Sequence, residues 1–134
     1  MTSETVIRKI ENGRAEFAYK CVKEECKDNT GKDNVKYKSH VKKLPALIRT
    51  NGLGAALAFI CNKDSEYQKI YKQITRWLNE NKYKLIDLSG NTDLVEKIIT
   101  IDSKLYRAVT VEVIAFVKWL ARFVDVLIEG EESE

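Results

Sequence analysis

Residues that could act as nucleophiles, bases or metal ligands are sparse in this sequence. The chain has three cysteines, Cys21, Cys26 and Cys61, and a single histidine, His40. A cysteine beside a histidine can form a nucleophile–base pair, but nothing in the sequence orients His40 towards Cys61. A zinc site needs three or four ligands at matched spacings, which these residues do not provide. We therefore expect no catalytic residue, metal or cofactor, with the cysteines reduced and mostly buried and His40 structural.

Glycine and carboxylate motifs are equally uninformative about catalysis. Gly52-Leu53-Gly54 begins like a dinucleotide-binding loop, but Leu57 occupies the third glycine position and the segment follows a predicted helix. Such loops follow a strand, so we interpret Asn51, Gly52 and Gly54 as a structural turn. The carboxylates form no HExxH or EF-hand pattern.

Basic residues show the clearest functional pattern. Residues 35–63 contain six basic side chains and no acidic one, whereas residues 129–134 contain four acids. At 3.6 residues per turn, four cations of the central segment border one polar helix face: Lys38, Lys42, Lys43 and Arg49. A narrow strip of the last helix holds four more, partly offset by Asp125: Lys104, Arg107, Lys118 and Arg122. Unpaired cations in a row suit a phosphate backbone, although a solvated surface remains the alternative.

Helices must position these residues. One proline and six glycines in 134 residues leave few helix breakers, and apolar residues recur at helical spacing. The sequence predicts an all-α, single-domain bundle of about five or six helices over residues 1–128, followed by an acidic, disordered tail at 129–134. The predicted helices cover residues 3–27, 35–51, 53–62, 65–79, 92–99 and 103–128, with a loop at 27–34 and N-caps at Asp64 and Asp102. Pro45 should kink the second helix or break it at Leu44.

The chain carries no pattern typical of a membrane protein. Its N-terminus has charges where a signal peptide needs an apolar run. The most apolar segment, residues 113–128, is charged and too short to cross a bilayer. Its apolar arc is too wide to lie exposed on a membrane surface, and Trp77 and Trp119 fit a core. We expect a cytoplasmic protein without a membrane partner.

The stretch YKSHVKKLPALIRTNGLGAALAFI, residues 37–60, resembles the most recognisable segment of the small subunit of Cmr-type (type III-B) CRISPR effector complexes. Residues 13–22 and 106–123 resemble the N- and C-terminal helices of the same family. The resemblance implies a small, non-catalytic helical subunit that stacks into a minor filament. Its implied partners are the backbone and large subunits, guide RNA and target RNA, with a basic face along the RNA groove. The Asn51–Gly54 turn would then be a joint between helices.

Three other functions remain open at this point. A stand-alone nucleic-acid-binding bundle would bind single or double strands tightly by itself. A protein-only structural adaptor would tolerate charge reversal on both basic stripes. An enzyme built on Cys61 or on the carboxylates would lose its activity when that residue is replaced.

Overall fold

Helix formers dominate the sequence, and the computed structural model is helical accordingly. It describes residues 3–28, 31–80, 84–90 and 92–130, with residues 3–10 and 28 described through their helical backbone. Six helices occur in these ranges: α1 Ser3–Asp28, α2 Lys32–Asn51, α3 Leu53–Ile60, α4 Ser65–Glu80, α5 Leu94–Ile98 and α6 Ser103–Leu127. None of the described residues forms a strand. The predicted all-α bundle of about five or six helices is confirmed.

Both predicted N-caps are present. A carboxylate oxygen of Asp64 accepts a hydrogen bond of 2.8 Å from the Tyr67 N–H in the first turn of α4. Asp102 accepts an equivalent bond, also 2.8 Å, from the Leu105 N–H of α6. Each cap satisfies one of the backbone donors that a helix N-terminus leaves unpaired.

Helix α2 differs from its prediction at two places. It begins at Lys32 rather than at residue 35, with Asp33 in its first turn, where an acid is favourable. It also continues through Pro45, so the predicted break at Leu44 does not occur. Buried side chains on both sides of the proline, such as Val41 and Ile48, anchor the two halves in one core. The predicted loop at 27–34 is correspondingly shorter, and its residues 29–30 lie outside the described ranges.

The remaining boundary differences are small, and α1, α4 and α6 each end within one residue of the prediction. Helix α3 ends at Ile60, two residues before its predicted end. Helix α5 covers Leu94–Ile98, inside the predicted range of 92–99. The predicted tail is described only at Glu129 and Gly130, and residues 131–134 lie outside the described ranges.

Helix α6 lies at the centre of the bundle. Its buried residues, including Val113, Phe116 and Leu120, belong to one connected apolar core to which all the other helices contribute. Helices α1 and α2 both pack along α6. Lys38, early in α2, contacts Ile128 after the end of α6, whereas Gly54, just after α2, contacts Tyr106 early in α6. Helices α2 and α6 therefore run antiparallel.

No helix in the described ranges is long and apolar enough to cross a membrane. This holds for α6 as well, because charged residues interrupt its apolar sequence.

Candidate nucleic-acid interface

Lys38 differs from the other cations of the α2 stripe because the fold buries it. Its side chain is 11% exposed, and its ammonium donates a 3.0 Å hydrogen bond to the Ile128 carbonyl. The same ammonium lies 3.8 Å from an Asp125 carboxylate oxygen. The prediction that Lys38 lies on a solvent-facing stripe is therefore wrong. The end of α6 packs over this part of α2, so Lys38 is positioned to hold that end.

Lys42, one turn further along α2, lies at the edge of the same contact. Its ammonium is 3.0 Å from the Asp125 carboxylate, and both side chains are about half exposed. Asp125 belongs to the charged strip of α6, so this ion pair joins the α2 stripe to the α6 strip. The two basic stripes thus meet where the end of α6 packs over α2.

Lys43 and Arg49 complete the α2 stripe and are both exposed. No carboxylate of the described residues lies within ion-pair distance of either cation. By contrast, Lys36, which borders the same helix face, lies 3.7 Å from Asp64 and 3.6 Å from Glu66. Lys43 and Arg49 therefore present charge that the described part of the protein does not neutralise.

The α6 strip is accessible along its whole length. All four of its predicted members are exposed, and none has an ion-pair partner among the described residues: Lys104, Arg107, Lys118 and Arg122. The Arg122 guanidinium lies 5.3 Å from the ring centre of Trp119. Trp119 is itself only partly buried and stacks on Phe123. Trp77, in contrast, is in the core as predicted, with 5% exposure.

The turn between α2 and α3 docks against the start of α6. Gly52 has φ 88° and ψ 157°, so its φ is positive and its ψ lies outside the left-handed helical region. Only glycine adopts this conformation readily. The Gly54 N–H donates a 2.9 Å hydrogen bond to the Tyr106 hydroxyl, and the Asn51 amide donates to the Leu47 carbonyl. This geometry is that of a joint between helices.

His40 is held by its neighbours rather than aimed at a pocket. Its Nε2 lies 2.9 Å from an Asp64 carboxylate oxygen, and its ring stacks on Tyr67 at 3.7 Å. Burial raises the pKa of Asp64, but hydrogen bonds from the Tyr67 N–H and from His40 outweigh burial, and the pKa is lowered overall. The ring is therefore fixed against the start of α4.

The three cysteines are free thiols. Cys21 is buried, and burial raises its pKa to about 12, which suppresses the reactive thiolate. Cys61 is partly buried, with its sulfur 3.3 Å from the Ala58 carbonyl. In the described ranges no three His, Cys, Asp or Glu side chains are grouped so that they could hold a metal ion.

Two features of this surface were not predicted from the sequence. The pairing of Lys42 with Asp125 joins residues on different helices, so no local pattern signals it. The contact of Arg122 with Trp119 does have a local signal, because residues three apart are neighbours on a helix. The guanidinium covers one face of the indole, as in cation–π pairs.

Comparison with known proteins identifies the family. A family model described as "CRISPR-associated protein (Cas_Cmr5)" matches residues 10–127, which is most of the chain. The chain belongs to the Cmr5 family. A curated Cmr5 relative, "CRISPR system Cmr subunit Cmr5" from Thermus thermophilus, is 30% identical over 115 residues. That match covers 86% of this chain and 92% of the relative.

A solved Cmr5-family structure shares the fold. It is the X-ray crystal structure of a CRISPR-associated Cmr5 family protein, also from Thermus thermophilus, with a TM-score of 0.72 and 27% identity. The match covers 90% of this chain and 97% of that one. The resemblance predicted from residues 37–60 is thus confirmed at the level of the family, and the Cmr5 fold accounts for nearly the whole chain.

Proposed function

We propose that this chain is a non-catalytic small subunit of a cytoplasmic Cmr-type (type III-B) CRISPR ribonucleoprotein. Several copies stack beside the guide-bearing backbone subunits, and residues 1–128 act as one domain. A basic face formed by α2 and α6 contacts the sugar–phosphate backbone of guide or target RNA. Family membership supports the assembly, because the curated relative is named as a subunit of a Cmr system.

The observation that carries the RNA contact is the set of exposed cations on two helices that pack together. The proposed contacts are Lys43, Arg49, Lys104, Arg107, Lys118 and Arg122, with Lys42 as a further member that is paired in the free protein. Such cations bind phosphates independently of sequence by releasing counterions. They position a strand without reading it, which leaves sequence recognition to base pairing, as in other RNA-guided effectors.

Lys38 has a different role in this proposal. Because its ammonium is buried against the Ile128 carbonyl, it supports the end of α6 and does not contact RNA. The turn at Asn51, Gly52 and Gly54 is likewise structural, together with Pro45 inside α2.

The non-catalytic role is supported by what the reactive side chains contact. His40 is held between Asp64 and Tyr67, and the Cys21 thiol is buried with a raised pKa. Both side chains are also buried, which keeps them from a molecule bound at the surface. An enzyme based on Cys61 is the opposing hypothesis, and it predicts that Cys61→Ala removes an activity of the purified particle.

The assembly is tested by isolating the protein from its source cells through an affinity tag. We expect intact-complex mass spectrometry to find a multi-subunit particle with more than one copy of this chain, and RNA sequencing to find guide-length RNA. A lone protein, or a complex without guide RNA, would contradict the assignment to a CRISPR particle.

The RNA face is tested by charge reversal in the reconstituted particle. The variant Lys43→Glu/Arg49→Glu should weaken binding of target RNA equally for all matched guide–target pairs and reduce its salt dependence. A matched control, Lys72→Glu/Lys84→Glu, reverses the charge of two exposed lysines outside both stripes, one in α4 and one after its end. It should leave binding of target RNA unchanged.

The same measurements separate two rival functions. A protein-only adaptor predicts that Lys43→Glu/Arg49→Glu leaves RNA binding unchanged in a folded particle. A stand-alone nucleic-acid-binding bundle predicts tight binding by the isolated chain. A filament subunit should instead bind weakly alone and gain affinity when several copies act together.

A further inference from the structure

Asp125 is a carboxylate inside the proposed RNA face. It belongs to the exposed strip of α6 and pairs across the helix contact with Lys42 at 3.0 Å and with Lys38 at 3.8 Å. It is about half exposed. An anion in this position repels an approaching phosphate and also neutralises a cation that could bind one.

The two lysines beside Asp125 differ in how easily they can change partner. Lys38 is buried and has a second acceptor, the Ile128 carbonyl, at 3.0 Å. Lys42 is 45% exposed, and its only ion-pair partner among the described residues is Asp125. An exposed ion pair of this kind is weak and is screened by salt. The Lys42 ammonium can therefore leave Asp125 for a phosphate, whereas Lys38 stays in place.

We propose that Asp125 restrains the RNA face. It holds the Lys42 ammonium in an ion pair, so that Lys42 contacts phosphate only after leaving Asp125, and it thereby lowers the affinity of a single copy for RNA. The inference rests on the proposed function, since it assumes that the α2–α6 face contacts RNA. It adds a residue whose removal should strengthen binding.

Low affinity in a single copy suits a subunit that acts in several copies. When several faces contact one strand, each later contact is intramolecular and the combined affinity rises steeply. A modest loss of affinity at each face multiplies over the copies, but the gain from each intramolecular contact can be far larger. The same loss limits binding of free copies to unrelated RNA, because a single face has no such gain.

The test uses the full-length chain and a fluorescently labelled single-stranded RNA of mixed sequence, titrated at low and moderate salt. Asp125→Asn keeps the shape of the side chain and removes its charge. We expect it to bind about threefold more tightly. This factor corresponds to the repulsion energy that two unit charges roughly 7 Å apart have in water. The salt dependence of this variant should steepen by about 0.7 on the log–log plot, because one further cation becomes available to a single strand.

The control Glu96→Gln removes one charge from an exposed position on α5 and should not change binding. A second pair of variants tests whether Asp125 acts through Lys42. In the Lys42→Ala background Asp125→Asn should still relieve the repulsion of phosphate by the carboxylate. Asp125→Asn should not steepen the salt dependence in that background, because Lys42 is no longer there to be released; a steepening as large as in the natural chain would contradict the restraint of Lys42.

The outcomes separate this inference from the proposed function. If Lys43→Glu/Arg49→Glu weakens binding while Asp125→Asn binds like the natural chain, the RNA face stands and the restraint by Asp125 is refuted. If neither variant changes binding, the RNA face itself is refuted. If Asp125→Asn lowers the melting temperature without strengthening binding, Asp125 only joins α2 to α6, which also overturns the inference.

Discussion

The ion pair between Arg14 of α1 and Glu112 of α6 offers the sharpest test of how the bundle is held together. The Arg14 Nε and Nη2 atoms donate to the two Glu112 carboxylate oxygens at 2.6 and 3.0 Å. Trp77 Nε1 donates to the same carboxylate at 3.1 Å. The side chains of Arg14 and Glu112 are only 16% and 10% exposed. Three helices therefore meet at one buried carboxylate.

Arg14→Met should destabilise the protein far more than the loss of a surface ion pair does. It removes both guanidinium hydrogen bonds and leaves the buried Glu112 charge with the Trp77 donor alone. Removing one partner of a buried pair costs about 3–5 kcal/mol. For a chain of this length that corresponds to a fall in melting temperature of roughly 10–20 °C. Urea unfolding followed by far-ultraviolet circular dichroism measures the free-energy change directly.

A second substitution distinguishes an unpaired charge from lost packing. Adding Glu112→Gln to Arg14→Met removes the buried charge but keeps an oxygen that accepts from Trp77. The double variant should therefore be more stable than Arg14→Met alone. The control is the exposed Glu16–Lys20 pair of α1, whose side chains are 68% and 67% exposed. Its coupling energy should be only about 0.3–0.5 kcal/mol.

Two results would refute this reasoning. One is a cost below about 1 kcal/mol for Arg14→Met, the level typical of an exposed pair. The other is a double variant no more stable than the single one, which would mean that packing of the arginine, rather than the unpaired Glu112 charge, causes the loss.

Three further predictions concern the turn, the thiols and the cap of α4. Gly52→Ala should cost about 1–3 kcal/mol in urea unfolding, because the backbone there is strained for any side chain; Gly54→Ala, where a methyl group makes ordinary contacts, should cost less. A thiol reagent at pH 8 should modify Cys61 well before Cys21, whose pKa burial raises to about 12, and equal rates measured by mass spectrometry would contradict the burial of Cys21. Burial raises the pKa of Asp64, but hydrogen bonds from α4 and from the neighbouring imidazole lower it overall; the stability contributed by the ionised carboxylate is present above the unfolded pKa near 3.8 and lost as pH falls through the folded value. Asn also caps helices well but carries no charge, so Asp64→Asn should lose the contribution of the ionised carboxylate near pH 7 and flatten the further loss below about pH 4, as measured by urea unfolding at a series of pH values.

Local patterns in the sequence were sufficient to predict the elements of this fold. Helical spacing of apolar residues and the capping acids Asp64 and Asp102 placed all six helices within a few residues of their bounds. Pro45 was expected to kink α2 or to break it at Leu44, and the break does not occur, because local rules omit tertiary packing. Burial of α2 on both sides of Pro45 compensates for the hydrogen bond that proline cannot donate.

The candidate RNA face was only partly predictable. The angular position of a residue on its helix follows from its number, so the sequence placed Lys43, Arg49 and the α6 cations on polar surfaces, where the structure also places them. Which of these polar surfaces is covered by another helix does not follow from the position of a residue in the sequence. Lys38 has nearly the same angular position as the exposed Arg49, yet it is buried.

The sequence by itself determined the helices, their caps, the excess of positive charge in the central segment and the resemblance to the Cmr5 family. All of these depend on residues close together in the chain. The tertiary structure alone decided which basic side chains remain exposed and unpaired, and so available to bind RNA. Antiparallel packing of α2 on α6 brings Lys38 to the carbonyl of Ile128, 90 positions away, and brings Lys42 to Asp125. Contacts across such separations depend on how the helices pack, and the spacing of residues along the chain does not determine that packing.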